Sequence, residues 1–189
     1  MARAHNSLCR GAQGISIWWS AALMLALAAC GSDSSGPGPH FKVGQPYKIN
    51  SRWYYPEFVT EYEATGVASW YGRPYHGRLT ANGEVYDMYA LTAAHPTLQL
   101  PSVVEVVNLE NGRSLTLRVN ARGPFVDDRL IDLSLAAARE LGFERQGLAP
   151  VQVRYLGLAQ LEEAPIRPGD GRRYAALSCQ LPEPERLVC

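Results

Sequence analysis

The chain has 189 residues, enough for one domain with appendages, and carries 18 basic and 18 acidic side chains. That even balance gives no electrostatic case for a nucleic-acid partner. Its four cysteines and four histidines form no C-x-x-C or His-rich spacing, so no metal or other cofactor is expected.

The first 29 residues read as an export signal. Arg3 and Arg10 are their only charges, and an apolar run over residues 15–29 ends in Leu27-Ala28-Ala29-Cys30. Apolar, small, small, Cys is the lipobox pattern of bacterial lipoproteins, in which Cys30 takes a lipid and becomes the new N-terminus. An ordinary secretory signal cleaved at the same small residues is the alternative. The Gly/Ser/Asp/Pro stretch after Cys30 favours the lipoprotein, because an anchored domain needs a tether. Ser32, with no Asp directly after Cys30, favours an outer over an inner membrane as the anchoring bilayer. Without residues 1–29 the chain keeps 16 basic and 18 acidic side chains. Cys179 and Cys189 then remain as a pair, forming either a small loop disulfide in an oxidising compartment or two free thiols.

Residues 30–65 form a linker and then an aromatic lead-in with Tyr47, Trp53, Tyr54, Tyr55 and Phe58. Such a segment packs over a domain or lines a sugar groove, and packing is the commoner use. The compact domain is placed at residues 66–158. Val67 to Tyr71 reads as a strand, followed by a Gly/Pro/Asn loop whose Asn82-Gly83 turn leads directly to Glu84. Leu91 to Ala94 is small and apolar, and His95-Pro96 turns the chain. Val103 to Val107 is β-branched, and Asn111-Gly112 makes a hairpin into the strand Leu115 to Asn120. In that strand Leu115, Leu117 and Val119 alternate with Thr116, Arg118 and Asn120. Gly123-Pro124 breaks it and starts a loop carrying Arg122, Asp127, Asp128 and Arg129, which delivers Asp132 and Ser134 to the head of an Ala-rich helix. Leu133, Ala137 and Leu141 fall at helical spacing, with Ser134 as candidate N-cap and Gly142 as the stop. Polar groups converging there make either an active site or polysaccharide cleft, or a charged surface loop with its cap. Val151, Val153 and Tyr155 alternate as a closing strand. Short strands with little helix predict a compact, mainly β barrel with one or two short helices. Residues 159–189 are Pro-rich and charged, an irregular tail.

Several motifs follow one another at close spacing: Gly66-Val67-Ala68-Ser69-Trp70-Tyr71-Gly72, His76-Gly77-Arg78, Thr80-Ala81-Asn82-Gly83-Glu84, Leu91-Thr92-Ala93-Ala94-His95, Arg122-Gly123-Pro124-Phe125 and Ile131-Asp132-Leu133-Ser134. Together they resemble the rare lipoprotein A family of septal-ring lytic transglycosylases over residues 66–143. The resemblance implies a six-stranded double-psi β-barrel and a lipid anchor. It also implies endolytic cleavage of peptidoglycan glycan strands stripped of stem peptides, during cell-wall remodelling and daughter-cell separation. The implied location is the periplasmic face of a bacterial envelope, with partners in the division machinery unknown. A C-terminal sporulation-related repeat, common in the family, is not expected after this barrel.

A lytic transglycosylase breaks the MurNAc–GlcNAc bond without consuming water, so one carboxyl group can serve as acid and then base. The family pattern Asn-Asp-Arg-Gly-Pro-Phe stands here as Asn120-Ala121-Arg122-Gly123-Pro124-Phe125, and Ala121 cannot carry a proton. By the resemblance, Glu84, Asp132 and His95 form the catalytic set, with Asp132 or Glu84 as the acid/base. Asp132 also resembles the essential Asp of expansin-like barrels. Trp70, Tyr71, Thr80, Asn82, Asn120 and Arg122 are the implied sugar-binding residues. Read without the family, Asp132 caps a helix, Glu84 is a rim charge and His95 is structural. The vacancy at Ala121 keeps open a non-catalytic glycan-binding or expansin-like lipoprotein.

Overall fold

The computed structural model describes residues 38–126 and 128–174. Cys30, Cys179, Cys189 and Asp127 lie outside the described residues. Six strands close a barrel: β3 (Glu63–Tyr71), β4 (Thr92–Ala94), β5 (Ser102–Asn108), β6 (Ser114–Ala121), β7 (Arg129–Ser134) and β8 (Leu148–Leu158). Their order around the barrel is β3-β7-β4-β6-β5-β8. Two contacts, β3 with β7 and β4 with β6, are parallel, and the other four are antiparallel. This is the mainly β, six-stranded double-psi architecture. Closure gives each of these six strands a partner on both sides.

The interior is filled by small and branched side chains, as a narrow barrel requires. Ala68, Ala93, Val104, Val106, Leu117, Val119, Ile131, Leu133, Val151 and Val153 are all fully buried. The β5–β6 hairpin turns at Gly112, whose φ of +71° suits glycine. Its register pairs Val104 with Leu117 and Val106 with Leu115.

The chain between Asp128 and Ser134 departs from the loop expected there. Arg129 to Ser134 is a full strand, inserted between β3 and β4. Leu133 is therefore a strand residue rather than the first of a helical stripe. The helix, α1 (Leu135–Glu140), has only six residues. Ser134 caps it, with Oγ accepting from the Ala137 amide at 3.1 Å. Asp132 caps nothing. At the other end of α1, Asn108 and Asn111 donate to the Leu141 carbonyl at 3.0 and 2.9 Å, and Arg113 donates to the Glu140 carbonyl at 3.2 Å. The hairpin thus supplies partners for the carbonyls of Glu140 and the cap residue Leu141, while those of Ala137, Ala138 and Arg139 accept from the amides of Leu141, Phe143 and Gly142.

The aromatic lead-in contains a small hairpin, β1 (Tyr47–Ile49) and β2 (Arg52–Tyr54). Asn50 and Ser51 make its turn at positive φ, the geometry that twists a two-residue hairpin correctly. Tyr47 and Tyr54 stack at 5.2 Å and meet the ring of Phe125 edge-on at 6.0 and 5.6 Å. After β8, residues 159–174 have no regular structure but are held against the barrel. Ile166 and Tyr174 are buried, the Leu91 amide donates to the Ile166 carbonyl at 2.6 Å, and the Ile166 amide donates to the Tyr174 hydroxyl at 2.8 Å.

Candidate active site

Where β3, β4 and β7 meet the loop after β6, a cleft of about 680 Å³ opens. One wall is aromatic. Tyr71 stacks on Tyr86 at 4.4 Å and takes Tyr75 edge-on at 6.0 Å, while the Tyr86 hydroxyl donates to the Tyr71 carbonyl at 2.6 Å. The Tyr71 hydroxyl is buried beside Thr92, and burial pushes its pKa upward. Trp70 joins this wall and is fixed by its indole N–H donating to the Glu144 carbonyl at 3.1 Å. The opposite wall runs from Ala121 through Phe125 and Val126. The rim carries Arg78, Thr80 and Asn50.

Asp132 is the single carboxylate among the described residues that line this cleft. Strand β7 carries it between Ser69 of β3 and Ala94 of β4. The Ser69 hydroxyl donates to its Oδ1, and Arg129 Nη1 donates to Ser69 Oγ at 3.0 Å. Burial raises the Asp132 pKa above the ordinary carboxylate value, with the Ser69 hydrogen bond and the Arg129 charge opposing it. Gly123 leaves room over the other oxygen. Its φ is +135°, and a Cβ built there would lie 3.9 Å from Asp132 Oδ2 and from Ala94 Cβ.

Glu84, in contrast, does not line the cleft. Its carboxylate accepts from Arg118 Nη2 at 2.7 Å and from Arg118 Nε at 3.1 Å on each oxygen. Asn82 and Asn120 donate to it at 2.7 and 2.9 Å. Burial alone would raise its pKa, but Arg118 and the two amides outweigh burial and hold it below the usual range. A group kept ionised by four donor side-chain nitrogens is a poor proton donor. Asn82 and Asn120, expected to bind sugar, are buried and committed to this network.

His95 is also turned away from the cleft. Its Nδ1 accepts from the Thr97 and Leu98 amides at 3.2 and 3.1 Å, which leaves Nε2 to carry the proton toward the Tyr62 hydroxyl at 3.0 Å. Burial, aided by the Arg122 charge, pushes its pKa down to about 3, so the ring is neutral. The Arg122 guanidinium is spent on backbone. It donates to the carbonyls of His95, Leu98 and Val43, tying the lead-in to the barrel, and burial lowers its pKa. Thr80 reaches the rim but donates its hydroxyl to Asn82 Oδ1 at 2.8 Å.

Of the residues expected at the site, the fold brings Trp70, Tyr71, Thr80, Arg122 and Asp132 to the cleft and leaves Glu84, His95, Asn82 and Asn120 outside its lining. Sequence reasoning missed Ser69 and Arg129 as companions of Asp132. Their signal was the Ser in the strand before Trp70-Tyr71, which becomes meaningful only once β3 is paired with β7. A second cavity, of about 640 Å³, lies where residues 166–174 cross β5 and β6. Of its two carboxylates, Glu105 is engaged by Arg154 at 2.6 Å and Glu140 is exposed, so neither is a half-buried acid like Asp132.

Residues 63–153 match a family model described as lytic transglycolase. The chain is 55% identical over 120 residues to the endolytic peptidoglycan transglycosylase RlpA of Pseudomonas aeruginosa, covering 62% of this chain and 35% of that protein. To its namesake in Helicobacter pylori it is 51% identical over 114 residues, or 60% and 36% of the two chains. To that of Neisseria meningitidis it is 50% identical over 118 residues, or 62% and 49%. The chain therefore spans between about a third and a half of these relatives' lengths. A solved structure, the Streptomyces papain inhibitor, aligns with a TM-score of 0.42 at 25% identity, covering 50% of this chain and 94% of that one. Over its barrel, residues 63–153, the chain is thus similar to the lytic transglycolase family.

Proposed function

We propose that the protein is an endolytic peptidoglycan transglycosylase with Asp132 as its one acid and base. The observation that carries this reading is the position of Asp132: half-buried, raised in pKa, and the single described carboxylate facing the cleft. The names of the RlpA relatives support the reaction class.

In this reading a glycan strand lies against the aromatic wall of Tyr71, Tyr75 and Trp70. The Asp132 carboxyl gives its proton to the glycosidic oxygen as the MurNAc C1–O bond breaks, and the positive charge on C1 is short-lived. The resulting carboxylate takes the proton from the C6 hydroxyl, whose oxygen bonds to C1 and closes the 1,6-anhydro ring. The acid is restored and no water is consumed, so a second carboxylate is not required. Arg78 on the rim has no side-chain partner among the described residues. It suits the lactyl carboxylate that is free only where the stem peptide has been removed, in line with a preference for stripped strands. The lipobox at Cys30 supports an anchored protein on the periplasmic face of the envelope, preferentially at the outer membrane, acting in wall remodelling and daughter-cell separation. Incorporation of labelled palmitate, lost in Cys30→Ala, tests the anchor.

A second reading, glycan binding without cleavage, is favoured by Ala121, which lines the cleft where the family pattern has an acid. One experiment separates the two. The protein is incubated with stem-peptide-free glycan strands, and 1,6-anhydro ends are sought by mass spectrometry. Such ends from the wild type and none from Asp132→Asn support the transglycosylase. Strand binding with no anhydro ends from the wild type supports the binding module, and activity gained by Ala121→Asp would then identify the missing group.

A further inference from the structure

The two oxygens of Asp132 have different surroundings, and the difference has a direction. Ser69 faces Asp132 in the parallel register of β3 and β7. Its Oγ lies between Asp132 Oδ1 and Arg129 Nη1, the latter at 3.0 Å. A guanidinium only donates, so Ser69 Oγ accepts from Arg129. Among the described residues its one hydroxyl hydrogen has Oδ1 as its acceptor and no other. Oδ1 accepts in this arrangement whatever the charge on Asp132, and the proton of the neutral acid belongs on Oδ2. That oxygen is on the side of Gly123, which lines the cleft together with Asp132.

We infer that Ser69, oriented by Arg129, is a positioning residue that holds the Asp132 proton on Oδ2 and so aims it at the oxygen of the bound glycan. Ser69 is 4% exposed and does not line the cleft, so it acts through Asp132 and not on the ligand. The inference rests on the reading of Asp132 as the acid and adds to it which oxygen delivers the proton and what fixes that choice. Few other groups bear on Asp132. Tyr71 faces it from β3 and Arg129 from its own strand, β4 contributes the uncharged Ala93 and Ala94, and the Arg122 guanidinium after β6 is turned onto backbone carbonyls.

The test uses the full chain. The Asp132 side-chain carboxyl is titrated by carbon-13 NMR in the wild type, Ser69→Ala, Ser69→Thr and Ser69→Cys, and the pH profile of anhydro-end formation is measured beside it. Removing a donor to the charged carboxylate should raise the Asp132 midpoint by roughly one pH unit in Ser69→Ala. The alkaline limb of the profile should move up with it, and turnover at the optimum should fall about tenfold with little change in strand binding. Ser69→Thr, which keeps the hydroxyl, should restore both values, and the weaker thiol donor of Ser69→Cys should shift the midpoint by less. An unmoved midpoint in Ser69→Ala overturns the inference. So does a Ser69→Thr midpoint displaced as far as that of Ser69→Ala. Should Ser69→Ala fail to fold, an unmoved midpoint in Ser69→Cys overturns it equally. The midpoint is read without turnover. A shifted midpoint in a protein that makes no anhydro ends would remove the catalytic reading and leave the positioning role standing.

Discussion

Replacing Glu84 by Ala should cost the fold about 5 kcal/mol, at the upper end of what breaking a buried ion pair costs. The size follows from what the carboxylate leaves behind. Arg118 is 0% exposed, and without Glu84 its charge would keep one acceptor, the Gln160 carbonyl at 2.8 Å. Asn82 and Asn120 would each lose a buried bond as well. Against a total stability on the order of 5–15 kcal/mol, such a loss is large. Urea unfolding at neutral pH measures it directly. The double variant Glu84→Leu with Arg118→Met removes both charges and should recover much of the loss, because the isolated charge is what costs most. Acid should mimic the single variant. The pair holds the folded Glu84 pKa below its unfolded value, so its contribution is complete above about pH 4.3 and fades as pH falls through the folded pKa. A Glu84→Ala protein within about 1 kcal/mol of the wild type, or a double variant no better than the single one, would refute the reasoning.

Other expectations follow from the same geometry. His95 should remain a neutral ring with the proton on Nε2 at pH 5, visible in nitrogen-15 spectra. Its folded pKa of about 3 lies below an unfolded value near 6.5, so it costs the fold nothing above about pH 6.5 and progressively destabilises it as pH falls from there toward 3. Arg122→Ala should free the lead-in from the carbonyls it holds, at a cost of about 2–3 kcal/mol, and speed proteolysis near Val43. Gly123→Ala should destabilise by about 1–2 kcal/mol in urea unfolding, because φ is +135° there, while its added Cβ would meet Asp132 Oδ2 only in ordinary contact at 3.9 Å.

Much of the barrel was legible as alternation. Strands β6 and β8 fall on stretches with that pattern, β5 on a β-branched run and β3 on a short stretch also read as a strand, and Asn111-Gly112 marks the hairpin between β5 and β6. Strand β7 was not legible. Its pattern, Leu130 and Asp132 alternating with buried Ile131 and Leu133, is short, and the Ala-rich stretch after it extends an apparent helical stripe backwards. What makes it a strand is pairing with β3, about 60 residues away, a contact that local propensity does not contain. Arg118 and Asn120 teach the same lesson from the other side. They occupy the polar face of β6 as expected, yet both are buried, because the loop bearing Glu84 and the backbone of Gln160 cover that face. Family resemblance placed Asp132 in the site. Sequence alone could not distinguish it from Glu84, since burial opposite Arg118 and burial opposite Ser69 push two carboxyl groups in opposite directions.

The short helix after β7 has a consequence for the order in which the chain folds. Six residues lie well below the length at which an isolated helix persists in water, so α1 has little stability of its own. Its last carbonyl, Glu140, and that of its cap residue Leu141 accept from Arg113 and from Asn108 and Asn111, all of the β5–β6 hairpin. That hairpin closes over a handful of residues and can form early, whereas the helix has to wait for it. Substitutions in the β5–β6 hairpin are therefore expected to slow folding, and substitutions of Ala136 or Ala137 to speed unfolding instead. The turn that looks like a simple strand connector is the template on which the last helical turn sets.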